Sequence, residues 1–406
     1  MDLLRGIRKM EDLLLEGRRV LIRVDFGVPL APDGGIADDA RIQAAIPTIR
    51  HAIDQGAKVV LASHLGRPRG RRTPELSMLP VAERLQELLT KEMGKEMEVF
   101  LPDESVGDGP RKVVMERVDG EVVLVENLRF HPEEEANDNL FAQKLSAIAD
   151  VYVNDAFGAC HRPHASVSAV AKYFSEKAAG LLVMKELSVL TKLLGTPDGP
   201  YFLVVGGERF SDKLTCMNSL LGRVRAILAG GAVAATMMAA KGVPVGRSRI
   251  EADKVETAGN FLSRAKLRGV DVLLPVDVVV AREASDEAPT EVVAADRVPE
   301  DAMILDIGPE TAALFGSTLS GARTVFWNGP MGVFERRPFL AGTEAVAKAI
   351  ARSSAMSVVG GTNTVAAVAK LVLTPFFKHV SMGGPATLLV LEGRELPGLE
   401  ALREAT

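Results

Sequence analysis

Short apolar runs rich in Val, Ile and Leu recur along the whole 406-residue chain and limit its possible folds more than any other property. The runs do not alternate strictly between apolar and polar residues, which is typical of strands covered on both faces in a parallel sheet. Segments with apolar residues three and four positions apart, such as 79–94 and 140–150, separate the runs and predict crossover helices. The pattern predicts the α/β class. The predicted strands are 20–26, 58–64, 121–127, 150–157, 201–207, 225–231, 271–281, 302–308, 324–329, 356–361 and 379–384.

A helical pattern near the middle of the chain marks the predicted domain junction. It covers residues 178–195 and precedes the breaker cluster Thr-Pro-Asp-Gly-Pro at 196–200. At about 100–200 residues per domain, the length indicates two or three domains. We predict an N-terminal domain over residues 1–178, a connecting helix over 179–195 and a C-terminal domain over 196–389.

Composition excludes several classes of protein. The chain is 47% hydrophobic with a formal net charge of -5, which argues for a packed core and against general nucleic-acid binding. Two cysteines, Cys160 and Cys216, are too few for a disulfide framework. The first twenty residues lack an apolar signal core, and the longest uncharged stretch, 226–240, is too short to span a bilayer. We therefore expect a cytoplasmic protein without a nucleic-acid or membrane partner.

Charged residues follow the predicted strands of the first half. Ligands of open α/β sheets bind outside the carboxyl ends of the strands, where guanidinium groups can hold phosphate and carboxylate bidentately. A single arginine after a strand is more often a solvated loop residue, and His161 or His164 alone is more often a packing or capping residue than a base. Four arginines at one edge favour a cationic pocket. The residues are Asp25, Arg41, His64, Arg67, Arg129, Asp155, His161, Arg162 and His164.

Glycine pairs follow the predicted strands of the second half, at 206–207, 230–231, 360–361 and 383–384. Glycine lets the backbone approach a ligand closely, and a helix that begins there directs free N–H groups at an anion. The pairs could equally be turn residues, since neither GxxxxGK[ST] nor GxGxxG is present. Lys213 is expected about one and a half turns into the next helix, within reach of a phosphate. Together the two halves indicate a kinase that closes about a hinge.

Eight motifs in this order resemble phosphoglycerate kinase, from about residue 10 to the end: RVDFGVPL, SHLGRP, ENLRFH, NDAFGACHRPHAS, SDKL, DIGPET, FWNGPMGVFE and HVSMGG. The resemblance implies reversible phosphoryl transfer between ATP and 3-phosphoglycerate, giving ADP and 1,3-bisphosphoglycerate with Mg²⁺. It also implies a monomer of two Rossmann-like domains with parallel sheets, joined by a helix and a hinge. A C-terminal tail, about 390–406, would pack on the N-terminal domain.

The resemblance also implies the site residues. Those for phosphoglycerate would be Asp25, Phe26, Gly27, Arg41, His64, Leu65, Gly66, Arg67, Arg129 and Arg162. Those for the nucleotide would be Lys213, Asn328, Glu335, Gly361, Thr362, Asn363 and Thr364. Arg41, Arg209 and Gly384 would assist the transferring group, and Asn363 would be a weak metal ligand.

Several positions depart from the family pattern: Gly27, Glu208, Arg209, Thr362, Asn363, Met382 and Pro385. Gly27 replaces an asparagine, Arg209 a lysine and Asn363 a metal-binding aspartate, while Pro385 lacks an amide hydrogen. The sequence leaves three hypotheses. The chain is a working kinase with compensating changes, a binding paralogue that transfers poorly, or, because of Gly27, a kinase for a related acid.

Overall fold

The computed structural model describes residues 3–404. The strands are β1 Arg19–Arg23, β2 Lys58–Ala62, β3 Val99–Phe100, β4 Val122–Leu124, β5 Val151–Asn154, β6 Lys177–Ala179, β7 Tyr201–Val205, β8 Ala226–Ala229, β9 Asp271–Leu273, β10 Asp277–Ala281, β11 Glu291–Ala294, β12 Met303–Ile307, β13 Thr324–Asn328, β14 Met356–Gly360 and β15 His379–Val380. The helices are α1 Ala40–Asp54, α2 Leu79–Met93, α3 Asp108–Met115, α4 Pro132–Glu135, α5 Asn139–Ser146, α6 Leu181–Leu194, α7 Ser211–Leu220, α8 Gly231–Ala240, α9 Val255–Leu267, α10 Pro309–Ser320, α11 Ala341–Arg352, α12 Thr362–Lys370, α13 Pro385–Leu391 and α14 Pro397–Glu400.

The chain forms two compact units that divide within α6. One unit runs to Ser188 and resumes at Glu395, and the other runs from Val189 to Arg394. We call them the N-terminal and C-terminal units. The last residues belong to the N-terminal unit, where the Gly398 N–H donates to the Cys160 carbonyl at 3.0 Å and the Glu404 N–H to the Gly6 carbonyl at 3.0 Å.

The N-terminal unit is built on one parallel sheet with the strand order β3-β4-β2-β1-β5-β6. The central strands are buried on both faces, as the continuous apolar runs predict. The sheet packs against α1 and α2, whose apolar residues recur every three or four positions. In α2 these residues are Val81, Ala82, Leu85 and Leu89. The predicted α/β class is confirmed.

The C-terminal unit has a second parallel sheet, ordered β15-β14-β13-β7-β8-β9, and a small antiparallel sheet, ordered β11-β10-β12. The parallel sheet contributes Phe202 and Trp327 to an apolar core, which also contains Phe315 of α10. Two predicted strands were wrong in detail. The run 271–281 is divided into β9 and β10 around Pro275, which has no N–H for a sheet ladder. The run 302–308 lies in the antiparallel sheet and not in a parallel one. Sequence did not predict this, since an apolar pattern indicates burial but does not specify the pairing partner.

Within residues 3–404, none of the helices combines the length and the apolar composition that crossing a membrane requires.

Candidate active site

The cationic residues of the N-terminal unit come from neighbouring strands. β4, β2, β1 and β5 are adjacent in the sheet. Their carboxyl ends therefore meet at one edge, and Arg129, His64, Asp25 and Arg162 follow these four ends in that order. Arg41 joins them from the first turn of α1. We call this group the cationic pocket.

Asp25 binds one member of the pocket and lies close to a second. It accepts a hydrogen bond from Nη1 of Arg41, and its Oδ1 lies 3.9 Å from His64 Nδ1. Burial alone would raise the pKa of Asp25, but the neighbouring guanidinium groups, that of Arg41 above all, bring that pKa down to about 2. Asp25 is therefore a carboxylate at neutral pH and fixes the Arg41 side chain beside it.

Arg129 and Arg162 complete the pocket. Arg129 is 7% exposed, donates from Nη1 to the Gly66 carbonyl at 2.9 Å and lies 3.4 Å from Glu135. Burial lowers its pKa, and the charges of Arg23 and Arg162 act in the same direction. Arg162 donates from Nε to Nε2 of His161 at 3.2 Å. Several guanidinium groups therefore lie close enough to repel one another, an arrangement that an anionic ligand would stabilise.

The remaining predicted substrate residues differ in accessibility. Phe26 and Leu65 are buried, so only their backbones can face a ligand, whereas Gly27 is partly open. Gly66 has φ +61 and an exposed backbone. Arg67 is exposed and has no hydrogen bond or ion pair with any of the described residues. Its guanidinium is free to bind an anion.

Asp155, at the end of β5, has a structural role. It is buried, and its Oδ1 accepts from the backbone N–H groups of Leu182 at 2.9 Å and Val183 at 3.3 Å. It therefore caps the start of α6. Burial raises its pKa to about 7.

Sequence reasoning missed Arg23, Ser166 and Glu134, which lie behind the pocket. Arg23 is 1% exposed within β1, and Glu134 is fully buried in α4. Arg23 Nε donates to Ser166 Oγ at 2.8 Å, and Ser166 Oγ lies 2.6 Å from Glu134 Oε1. The available signal was an arginine directly after the apolar residues Val20, Leu21 and Ile22, because a charge in such a buried stretch is stable only when it is paired.

The C-terminal unit contains a cavity of about 580 Å³ along the carboxyl edge of its parallel sheet. Glycine-rich turns, the starts of three helices and the side chains of α13 line it. The lining residues are Gly206, Gly207, Glu208, Arg209, Ser211, Asp212, Lys213, Asn328, Gly329, Pro330, Gly361, Thr362, Asn363, Thr364, Gly384, Pro385, Leu388, Leu389, Glu392 and Arg394. We call it the glycine-lined cavity.

Two glycines of this cavity are required by close backbone packing. A Cβ at Gly206 would lie 2.1 Å from the Pro330 carbonyl oxygen, and a Cβ at Gly329 would lie 2.1 Å from the Gly206 carbonyl oxygen. Gly329 also has φ +107, which L-residues rarely adopt. The loops after β7 and β13 are therefore held against each other through their backbones.

Lys213 lies closer to the helix start than predicted. Residues 207–210 form a loop, and α7 begins only at Ser211. Lys213 is therefore in the first turn of the helix. Its ammonium group donates to Oδ1 of Asn328, and Asn328 Nδ2 donates to the Gly360 carbonyl at 2.9 Å. Burial lowers the pKa of Lys213. The lysine is thus fixed at the cavity wall with further N–H groups available for an anion.

Helix α12 begins at the cavity. Gly361 precedes it with φ +90, and Thr362 and Asn363 are exposed in its first turn. The first N–H groups of a helix have no partner within it, which suits them to phosphate. Thr364 is buried and accepts from the Gly329 N–H at 2.6 Å. Thr362–Thr364 therefore stand beside Lys213 and Asn328 around one space.

Five of the altered positions line this cavity: Glu208, Arg209, Thr362, Asn363 and Pro385. Arg209 is 60% exposed, with Nε 3.7 Å from Asp212, and Glu208 pairs with Arg249 at 2.9 Å. Pro385 is the first residue of α13, where the missing N–H breaks no helical hydrogen bond. Met382 and Glu335 are not among the lining residues. Glu335 is exposed, and its carbonyl accepts from Lys370 Nζ at 3.2 Å.

The cavity offers a few side-chain oxygen atoms as metal ligands. This number suits a magnesium ion that is held mainly by nucleotide phosphates. Among residues 3–404, no group of three or more His, Cys, Asp or Glu side chains is arranged to hold a metal ion. Mg²⁺ commonly uses one or two protein oxygens together with substrate phosphates and water. Asn363 and Asp212 line the cavity and can supply such oxygens.

Comparisons with known proteins agree with this geometry. The family described as Phosphoglycerate kinase matches residues 10–394. A phosphoglycerate kinase of Anaeromyxobacter dehalogenans is 52% identical over 98% of this chain and 100% of that protein. One from Moorella thermoacetica is 48% identical over 97% of this chain and 98% of that protein. The structure of phosphoglycerate kinase from Coxiella burnetii matches with a TM-score of 0.85 and 37% identity, covering 98% of both chains. The chain therefore belongs to the phosphoglycerate kinase family.

Proposed function

We propose that this chain catalyses the reversible transfer of a phosphoryl group between ATP and the carboxylate of 3-phosphoglycerate. The observation that carries the proposal is the cluster of guanidinium groups around Asp25 and His64, which suits a small molecule bearing both phosphate and carboxylate. The glycine-lined cavity with Lys213 suits the phosphates of a nucleotide. We further propose a monomer that acts in the cytoplasm and in glycolysis.

The phosphoglycerate would bind in the cationic pocket. Arg41 keeps donors free beside its bond to Asp25, and Arg67 has no competing partner among the described residues. Arg129 and Arg162 would neutralise the rest of the ligand charge. The His64 ring would donate a further hydrogen bond to the ligand. The backbone at Phe26, Gly27, Leu65 and Gly66 would complete the contacts.

The nucleotide would bind in the glycine-lined cavity. Lys213 and the first N–H groups of α12, at Thr362, Asn363 and Thr364, would hold its phosphates, and Gly361 leaves room for close approach. Asn328 fixes Lys213. Glu335 is proposed for the ribose side.

The transfer itself needs positioning and charge stabilisation. In the direction of ATP synthesis, a β-phosphate oxygen of ADP bonds to the phosphorus at C1 of 1,3-bisphosphoglycerate. The bond from that phosphorus to the carboxyl oxygen breaks, and its electrons stay on the carboxylate. Arg41, Arg209 and the Gly384 backbone would face the transferring group. Mg²⁺ would neutralise nucleotide phosphate charge, with Asn363 as the proposed protein ligand.

A coupled assay tests the proposal directly. Purified protein should form ATP from ADP and 1,3-bisphosphoglycerate, and calorimetry should detect binding of 3-phosphoglycerate and of MgADP. Tight binding of 3-phosphoglycerate without turnover would refute the enzyme and identify a binding paralogue. Turnover with a different acid only would identify a changed substrate, as Gly27 suggests.

The variant Asn363→Asp is expected to strengthen MgADP binding several-fold. A carboxylate attracts a hard cation more strongly than an amide oxygen does, and a negative charge is favourable in the first turn of a helix. Without Mg²⁺, the same carboxylate would face the ADP phosphates, so affinity for free ADP should fall. Calorimetry with and without Mg²⁺ measures both effects. Equal changes in the two conditions would contradict a metal role for residue 363.

A further inference from the structure

A chain of directed hydrogen bonds lies behind His64. Arg23 Nε donates to Ser166 Oγ at 2.8 Å. Ser166 has one hydroxyl hydrogen, and that hydrogen is left to donate to Glu134 Oε1 at 2.6 Å. The Ser166 N–H donates to Glu134 Oε2 at 2.9 Å. Glu134 thus orients the serine, and the serine orients the guanidinium.

The guanidinium of Arg23 determines which nitrogen of His64 carries the proton. Its Nη1 donates to the Val24 carbonyl, so all three nitrogens have partners, and its Nη2 lies 3.2 Å from His64 Nδ1. A guanidinium only donates and stays protonated, so Nδ1 must accept. The alternative partner of Nδ1, Asp25 Oδ1, is 3.9 Å away, beyond hydrogen-bond distance. The ring proton therefore belongs on Nε2.

The surroundings of His64 favour a neutral ring with an open donor. Burial lowers its pKa well below the usual value, the carboxylate of Asp25 opposes this, and Arg23, Arg129 and Arg41 lower it further. Among residues 3–404, no group accepts a hydrogen bond from Nε2. A Cβ at Gly27 would stand 3.3 Å from Nε2, so the glycine leaves that side of the ring uncovered.

We infer that Glu134, Ser166 and Arg23 are positioning residues that hold His64 as the Nε2–H tautomer and direct that N–H at the bound phosphoglycerate. The inference rests on the proposed function for the identity of the ligand, whereas the tautomer is a property of the protein alone. The carboxylate or phosphate of the ligand would accept from Nε2. Arg23 would add positive charge without touching the ligand.

Nitrogen-15 NMR of the histidine side chains tests the tautomer in the ligand-free protein at neutral pH. His64 is assigned by its loss in His64→Gln. The expected spectrum has an unprotonated Nδ1 and a protonated Nε2. A protonated Nδ1 overturns the inference, even if the protein proves to be an active kinase. Confirmation of the tautomer stands even if the protein proves inactive.

The variant Ser166→Ala tests the positioning role. Arg23 would lose the acceptor of its Nε, and we expect mixed tautomers at His64 and about tenfold weaker binding of 3-phosphoglycerate, with MgADP affinity unchanged. Ser166→Thr keeps the hydroxyl and should restore both readouts. Ser168→Ala is the control, since the Ser168 side chain has no hydrogen bond with the described residues. An unchanged tautomer and affinity in folded Ser166→Ala would refute the role. If that variant does not fold, the wild-type spectrum still decides the tautomer.

Discussion

The variant Arg41→Ala is expected to lower kcat about 10² to 10³-fold, the usual cost of removing one donor that stabilises developing charge. Arg41 meets the requirements for such a donor. Asp25 fixes one of its nitrogens, and the partly exposed remainder of the guanidinium is open to a ligand. Binding of 3-phosphoglycerate should weaken as well, because a ligand charge would lose its partner. Steady-state kinetics and calorimetry with 3-phosphoglycerate measure the two effects.

Arg50→Ala is the matched control for Arg41→Ala. Arg50 lies on the same helix, α1, and pairs with Asp54 at 3.3 Å and Glu92 at 2.6 Å on the surface. Exposed ion pairs of this kind contribute about 0–1 kcal/mol to stability. Its removal should leave kcat and substrate affinity unchanged. If Arg41→Ala and Arg50→Ala behaved alike, the assignment of Arg41 to the transferring group would be refuted.

One rule of α/β topology is sufficient to group the residues of the cationic pocket from the sequence. The carboxyl ends of all strands in a parallel sheet lie at one edge. Asp25, His64, Arg129 and Arg162 each follow such an end, so they could be grouped without knowing the strand order. The same rule places Gly206 and Gly361 at the edge of the second sheet. Local patterns carry this information, because each residue needs only to be located at a strand end.

The rule fails where a residue's role depends on a distant partner. Asp155 also follows a strand, yet it caps α6 through Leu182 and Val183, which no local pattern reveals. The role of Arg23 was not predicted either. Arg23 lies within the predicted strand 20–26, where no ligand-binding residue was sought, and its acceptor Ser166 is 143 residues away. Buried charges are satisfied by such long-range contacts, which local sequence does not encode.

The first residue of α7 also depends on distant contacts that the local sequence does not reveal. Composition places a helix after β7 but does not give its first residue. Phe210 is fully buried, with its ring 6.4 Å from that of Phe261, so the loop before the helix is anchored in the core. Ser211 then donates from its N–H and hydroxyl to Glu251, at 2.8 and 2.6 Å. These contacts begin the helix at Ser211 and place Lys213 in its first turn.

The variant Lys213→Met is therefore expected to lower kcat about 10²-fold or more and to weaken MgADP binding. Methionine keeps a flexible unbranched stem but removes the charge that the cavity would direct at nucleotide phosphates. Asn328 stays fixed through its bond to the Gly360 carbonyl at 2.9 Å, so the wall of the cavity should persist. Kinetics and calorimetry with MgADP measure the loss, with binding of 3-phosphoglycerate expected to be unaffected. Lys266→Met, at an exposed position of α9, is the matched control and should behave as wild type. Wild-type kcat in Lys213→Met would show that another group carries the phosphate charge and that the assignment of this lysine is wrong.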